Sequence, residues 1–130
     1  MNKARVLVAD DNQAILRIVG SVLAVDFDVI RAVNDGAAAV AAARQFLPDV
    51  AILDISMPVL NGIEAARRIR EVSRSTAVIF LTAHTDLDTL TAALGAGALA
   101  YVLKPRLGTD MIPAINRALD GRCFVSPGIG

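Results

Sequence analysis

Short apolar runs rich in β-branched residues alternate five times with longer segments of helical period along this chain. That alternation narrows the fold to repeated βα units around a parallel sheet. The strands are predicted at 5–9, 28–32, 50–54, 77–81 and 100–104. Runs such as Val6-Leu7-Val8-Ala9 and Ala77-Val78-Ile79-Phe80-Leu81 are apolar throughout, as strands covered by helices on both faces must be. They hold much of the 55% apolar content, and none is long enough to span a bilayer.

The intervening segments carry their own signals. Residues 13–23 put Ile15, Val19, Val22 and Leu23 on one stripe. The second helix follows Asn34-Asp35-Gly36 and is rich in alanine, which lets it lie close to the sheet. The third, 63–72, turns Ile63, Ala66, Ile69 and Val72 inward and pairs Glu64 with Arg68 outside. The fourth, 87–96, is stopped by Gly97. The fifth has Met111, Ile112, Ile115, Ala118 and Leu119 at core spacing, with Pro113 near its start. Asp110 is therefore expected as its N-cap, which puts the missing N–H of Pro113 where no helical bond is broken. Gly121 ends that helix, giving one domain over 1–121, and 122–130 with Ser126-Pro127-Gly128 reads as a linker or tail.

Several function classes are excluded early. Thirteen basic and thirteen acidic residues cancel, so the chain lacks the positive field of a non-specific nucleic-acid binder. Cys123 is the single cysteine, which rules out an internal disulfide and a cysteine-based zinc cluster. The apolar run after the basic start ends at Asp10-Asp11, too soon for an export signal, so a cytoplasmic setting without membrane contact is expected. Gly95-Ala96-Gly97-Ala98-Leu99-Ala100 fits a dinucleotide-binding pattern but precedes a strand instead of following one, so it is set aside.

The chemistry lies at the strand ends, where open parallel sheets bind their ligands. Strand one finishes at Asp10-Asp11, strand three at Asp54, strand four at Thr82 and strand five at Lys104-Pro105. Carboxylates about 4 Å apart repel by roughly 4 kcal/mol at an effective dielectric of 20, so such a cluster calls for a cation. Mg²⁺ suits it, because Mg²⁺ takes few carboxylates and shares a phosphate oxygen. Lys104 supplies a second positive charge, Thr82 a neutral donor, and an aspartate can act as nucleophile in phosphoryl transfer.

These segments, Asp10-Asp11, Asp54-Ile-Ser-Met-Pro-Val-Leu-Asn-Gly62, Thr82-Ala83, Gly97-Ala-Leu-Ala-Tyr101 and Lys104-Pro105, resemble the motif set of response-regulator receiver domains over about 4–121. The resemblance implies a flavodoxin-like (βα)5 fold, a doubly wound five-stranded parallel sheet in the order 2-1-3-4-5. It implies that Asp54 accepts phosphate from a sensor histidine kinase or phosphotransfer protein. Asp10, Asp11, Asp54 and the Ser56 backbone carbonyl would hold Mg²⁺, and Lys104 and Thr82 the phosphoryl oxygens. It also implies a cis bond before Pro105, and a switch in which Thr82 moves toward Asp54 and the Tyr101 ring enters the space left. The face of Leu87, Leu90 and Leu94 would then form a homodimer or meet a partner. Ala118-Leu-Asp-Gly-Arg-Cys-Phe-Val-Ser-Pro127 is similar to the segment joining receiver and helix-turn-helix domains in LuxR/FixJ-type regulators, which implies transcriptional output through a DNA-binding domain outside this chain.

Plainer roles compete residue by residue. Asp10 or Asp11 alone also suits a cap for the first helix, Thr82 a cap for the fourth, Asp54 a turn, Tyr101 a static core aromatic and Lys104 an exposed strand end. His84, the only histidine, suits a loop position better than metal ligation, although the resembled family modulates dephosphorylation from that position. The competing functions are a stand-alone receiver, a phosphorylation-independent interaction module and an aspartate-nucleophile phosphatase. The phosphatase lacks its second aspartate at Ser56, so no turnover enzyme is expected.

Overall fold

The computed structural model describes residues 2–130. Strands β1 (Ala4–Ala9), β2 (Phe27–Val33), β3 (Val50–Leu53), β4 (Ala77–Thr82) and β5 (Ala100–Leu103) alternate with helices α1 (Gln13–Leu23), α2 (Gly36–Phe46), α3 (Gly62–Val72), α4 (Leu87–Gly95) and α5 (Leu107–Leu119). A two-residue strand β6 (Phe124–Val125) follows. The sheet is parallel with order β2-β1-β3-β4-β5-β6, so the flavodoxin-like order 2-1-3-4-5 is present and extended by one short strand.

Period-two alternation sorts the central strands into two cores. Leu7, Ala9, Ala51, Leu53, Val78, Phe80, Tyr101 and Leu103 face a layer with residues of α2, α3 and α4. Val6, Val8, Val50, Ile52, Ile79, Leu81, Ala100 and Val102 face residues of α1 and α5. Both faces are covered, which is why the buried stretches 6–9, 50–53 and 78–81 carry no polar residue. Gly97, at φ +97°, takes the left-handed conformation that turns the chain from α4 toward β5.

Two expectations at the start of α5 are corrected. The helix begins at Leu107, directly after a 3-10 turn over Lys104–Arg106, and Pro113 lies inside it. The bond given up at Pro113 is outweighed by burial of Leu107, Met111, Ala114, Ile115 and Ala118 along one face. Asp110 is thus a buried helical residue and no cap. Among the described residues no peptide bond is cis, so Lys104–Pro105 is trans. Pro105 falls in the first turn of a helical segment, where its fixed φ fits and its missing N–H costs no bond.

The segment read as a linker or tail is also held by the fold. Phe124–Val125 pairs with β5, and Ser126 is buried. Among the described residues no helix is long and apolar enough to cross a membrane.

Candidate functional site

Register sets the site. Ala9 pairs with Leu53 across β1 and β3, so Asp10 and Asp54 leave their strands side by side, and the Asp54 N–H donates to the Ala9 carbonyl at 2.9 Å. Thr82 pairs with Leu103 across β4 and β5, which brings Lys104 to the same edge. Asp10, Asp11 and Asp54 each offer an oxygen, all within 4.8 Å of one another. The Lys104 ammonium stands 3.1 Å from Asp10 Oδ2 and 3.3 Å from Asp54 Oδ2.

None of these groups is occupied as a helix cap. Asn12 caps α1, accepting from the Ala14 and Ile15 N–H groups, and Asp86 caps α4, accepting from the Thr89 N–H. Asn61 caps α3 immediately behind Asp54. Asp10 Oδ1 accepts from the Asn12 N–H at 2.9 Å. Its Oδ2 is buried and has no directed donor, because Lys104 approaches at ion-pair distance but off the hydrogen-bond direction. Its one cationic neighbour is shared with Asp54, so the charge buried here is only partly compensated. Three carboxylates against one ammonium leave two negative charges, and the donors are all hard oxygens, so the set fits Mg²⁺.

Burial, and then the charge of Asp10, push the Asp54 carboxyl above its usual range, while Lys104 and the Ile55 N–H at 2.8 Å oppose that rise. Burial would lower the Lys104 ammonium, but its close contacts with the carboxylates of Asp10 and Asp54 raise it overall, so the cation persists at neutral pH. Ser56 is exposed beside the cluster, and its hydroxyl shares a 2.9 Å hydrogen bond with His84 Nε2. That bond across 28 residues is invisible in the sequence, where His84 looks isolated.

Thr82 is fully buried and accepts from the His84 N–H at 3.1 Å. The Tyr101 ring is wholly buried, and its hydroxyl donates to the His84 carbonyl at 2.9 Å. Burial, and then the charge of Asp86, push this phenol up to about 12. The chain has one tyrosine, so its titration is readable by tyrosinate absorbance. The midpoint is expected near 12. Because the folded state holds this proton more tightly, stability should fall as pH rises from about 10 toward that midpoint. A midpoint near 10 would mean an exposed ring.

The sequence pattern of the response regulator receiver domain matches residues 6–116. The chain is 32% identical over 128 residues to the transcriptional regulatory protein DegU of Brevibacillus brevis, covering 97% of this chain and 54% of that protein. The signal receiver domain of the response regulator NarL from Mycobacterium tuberculosis superposes with a TM-score of 0.89 at 32% identity, covering 94% of this chain and all of that one. The isolated receiver domain of RcsB from Salmonella enterica serovar Typhimurium, solved with the phosphomimetic BeF₃⁻, gives 0.88 at 26% identity over 98% of this chain and 96% of that one. The chain belongs to the response-regulator receiver family. It is a receiver domain of a two-component response regulator related to LuxR-type regulators, and it spans little more than half the length of DegU.

Proposed function

We propose that this domain takes a phosphoryl group onto Asp54 from a phosphohistidine on a sensor histidine kinase or phosphotransfer protein. A carboxylate oxygen of Asp54 bonds to phosphorus as the phosphorus–nitrogen bond breaks; the electron pair stays on the imidazole, which takes a proton from water. The observation that carries this reading is the buried Asp54 set against Asp10, Asp11 and Lys104, with α1 capped by Asn12 and not by Asp10 or Asp11.

Asp10, Asp11, Asp54 and the Ser56 carbonyl would hold Mg²⁺, which when bound offsets the charge gathering on the phosphoryl oxygens. Lys104 opposes the rise that burial imposes on the Asp54 carboxyl and offers its ammonium to the transferred group. The Ile55 N–H fixes the orientation of the carboxylate. The Thr82 hydroxyl stands ready as a donor once it turns from the His84 N–H. The domain is a phospho-acceptor and no turnover enzyme. Its likeness to the transcriptional regulatory proteins DegU and NarL supports transcriptional output through a DNA-binding domain outside this chain. Homodimerisation on phosphorylation would use the face of Leu87, Leu90 and Leu94, where Leu87 and Leu94 are exposed and Leu90 packs against the core.

Mg²⁺ titration followed by amide resonances tests the metal part. Saturable shifts are expected at Asn12, Ile55 and Lys104, and Asp11→Ala, a change at an exposed side chain, should weaken them at least about tenfold. Shifts of equal size and affinity in Asp11→Ala would refute the assignment.

A further inference from the structure

The segment after α5 is fastened at both ends, and the fastenings lead back to the acidic site. Along β6 the Phe124 N–H donates to the Leu99 carbonyl at 3.0 Å and the Ser126 N–H to the Tyr101 carbonyl at 2.9 Å. The ladder then continues through a side chain. The Leu103 N–H donates to Ser126 Oγ at 3.1 Å, and that hydroxyl donates to Asp110 Oδ2 at 2.7 Å. Arg106 grips the same carboxylate with two bonds, of 2.7 and 3.1 Å, which hold it well below the usual carboxylate range. Asp110 and Ser126 are both buried, so this clip has no solvent to replace either partner.

Farther along, Gly128 at φ +100° turns the chain back, Ile129 packs against the core on the α4 side, and the Gly130 N–H donates to the Thr85 carbonyl at 2.9 Å. Thr85 follows His84, whose N–H is bonded to Thr82 Oγ1 and whose carbonyl accepts the Tyr101 hydroxyl. Four consecutive residues, Thr82 to Thr85, thus run from the sheet edge that carries the acidic site to the Gly130 N–H.

We propose that residues 124–130 form a strap, clipped by Ser126 and Asp110, whose seating is coupled to the loop from Thr82 to Thr85. Drawing Thr82 toward Asp54 removes the acceptor of the His84 N–H and displaces the Thr85 carbonyl, which loosens the far end of the strap. Release frees the edge of β5, which β6 otherwise covers. Coupling is reciprocal, so unclipping the strap must also alter the loop. The coupling itself needs no phosphoryl group; only its trigger rests on the function proposed above.

Amide exchange and chemical shifts on the full chain test this in two arms. In the first, Ser126→Ala is compared with the parent in buffer alone, with Asp110→Asn as a milder variant that keeps the shape of the side chain. Exchange at Phe124, Ser126 and Gly130 should quicken about tenfold, and the resonances of His84 and Thr85 should move with it. A loosened segment with His84 and Thr85 unmoved would overturn the coupling. In the second arm the parent receives Mg²⁺ and beryllofluoride. Faster exchange at Gly130 and Ser126 together with shifts at Ile55 is expected. Shifts at Ile55 with the strap amides unchanged would also overturn the strap. No shift at Ile55 would count against the phospho-acceptor reading and leave the first arm to decide the strap.

Discussion

Gly62→Ala is expected to lower stability by about 3 kcal/mol or more, at the upper end of what overpacking costs. A β-carbon there would lie 2.0 Å from the Asp54 carbonyl oxygen and 2.9 Å from Ile55 Cα, both of them main-chain atoms that cannot swing aside. The Gly62 N–H is bonded to the Ile55 carbonyl at 2.8 Å, which binds the start of α3 to the backbone carrying Asp54. The substitution therefore acts on the fold and on the site together: it should weaken Mg²⁺ binding as well as shift the denaturant midpoint. Gly20→Ala is the control. It lies within α1 with nothing within 4 Å of the added carbon, and a gain of roughly 0.5–1 kcal/mol is expected from helix propensity. Equal midpoints for the two variants would show that close approach behind Asp54 is unimportant.

The second large effect concerns Lys104. Lys104→Met leaves Asp10 and Asp54 facing each other without the ammonium that bridges them, and a loss of about 2 kcal/mol at neutral pH is expected. The figure is below that of a fully buried pair because 21% of the lysine side chain is open to solvent. The sign with pH follows from Asp54. Its folded-state carboxyl is raised, so the folded state binds the proton more tightly and repulsion is relieved as pH falls through that value. The deficit of the variant should shrink on mild acidification, and Mg²⁺ should stabilise the variant more than the parent because the metal replaces the missing charge. Denaturant midpoints at two pH values, with and without Mg²⁺, measure all three terms. A deficit that is the same at both pH values and unaffected by Mg²⁺ would mean that Lys104 contributes by packing alone.

Much of this site could be read before any coordinates, and the reason is geometric. A parallel sheet sends all its carboxyl ends to one edge, so Asp10, Asp11, Asp54, Thr82 and Lys104 needed only correct strand ends to converge. Apolar runs buried on both faces make those ends abrupt and therefore visible. What stayed hidden depends on contacts that leave no local period. Pro113 points to a helix start, yet burial of Leu107, Met111 and Ala114 carries α5 through it. Phe124–Val125 is too short to register as a strand, and its clip joins Ser126 to Asp110, sixteen residues earlier. The pairing of Ser56 with His84 is likewise a product of tertiary proximity.

The proposed phosphoryl transfer depends on one carboxylate, that of Asp54. Intact-mass measurement of the domain incubated with a small acyl phosphate is expected to give one phosphate adduct with Mg²⁺, none with EDTA, and none in Asp54→Ala under either condition. The parent side chain is buried and bonded to Lys104 and the Ile55 N–H, so parallel circular dichroism should confirm that the variant remains folded. An adduct that persists in folded Asp54→Ala, or that forms equally well in EDTA, would contradict the assignment of Asp54 as the Mg²⁺-dependent phospho-acceptor.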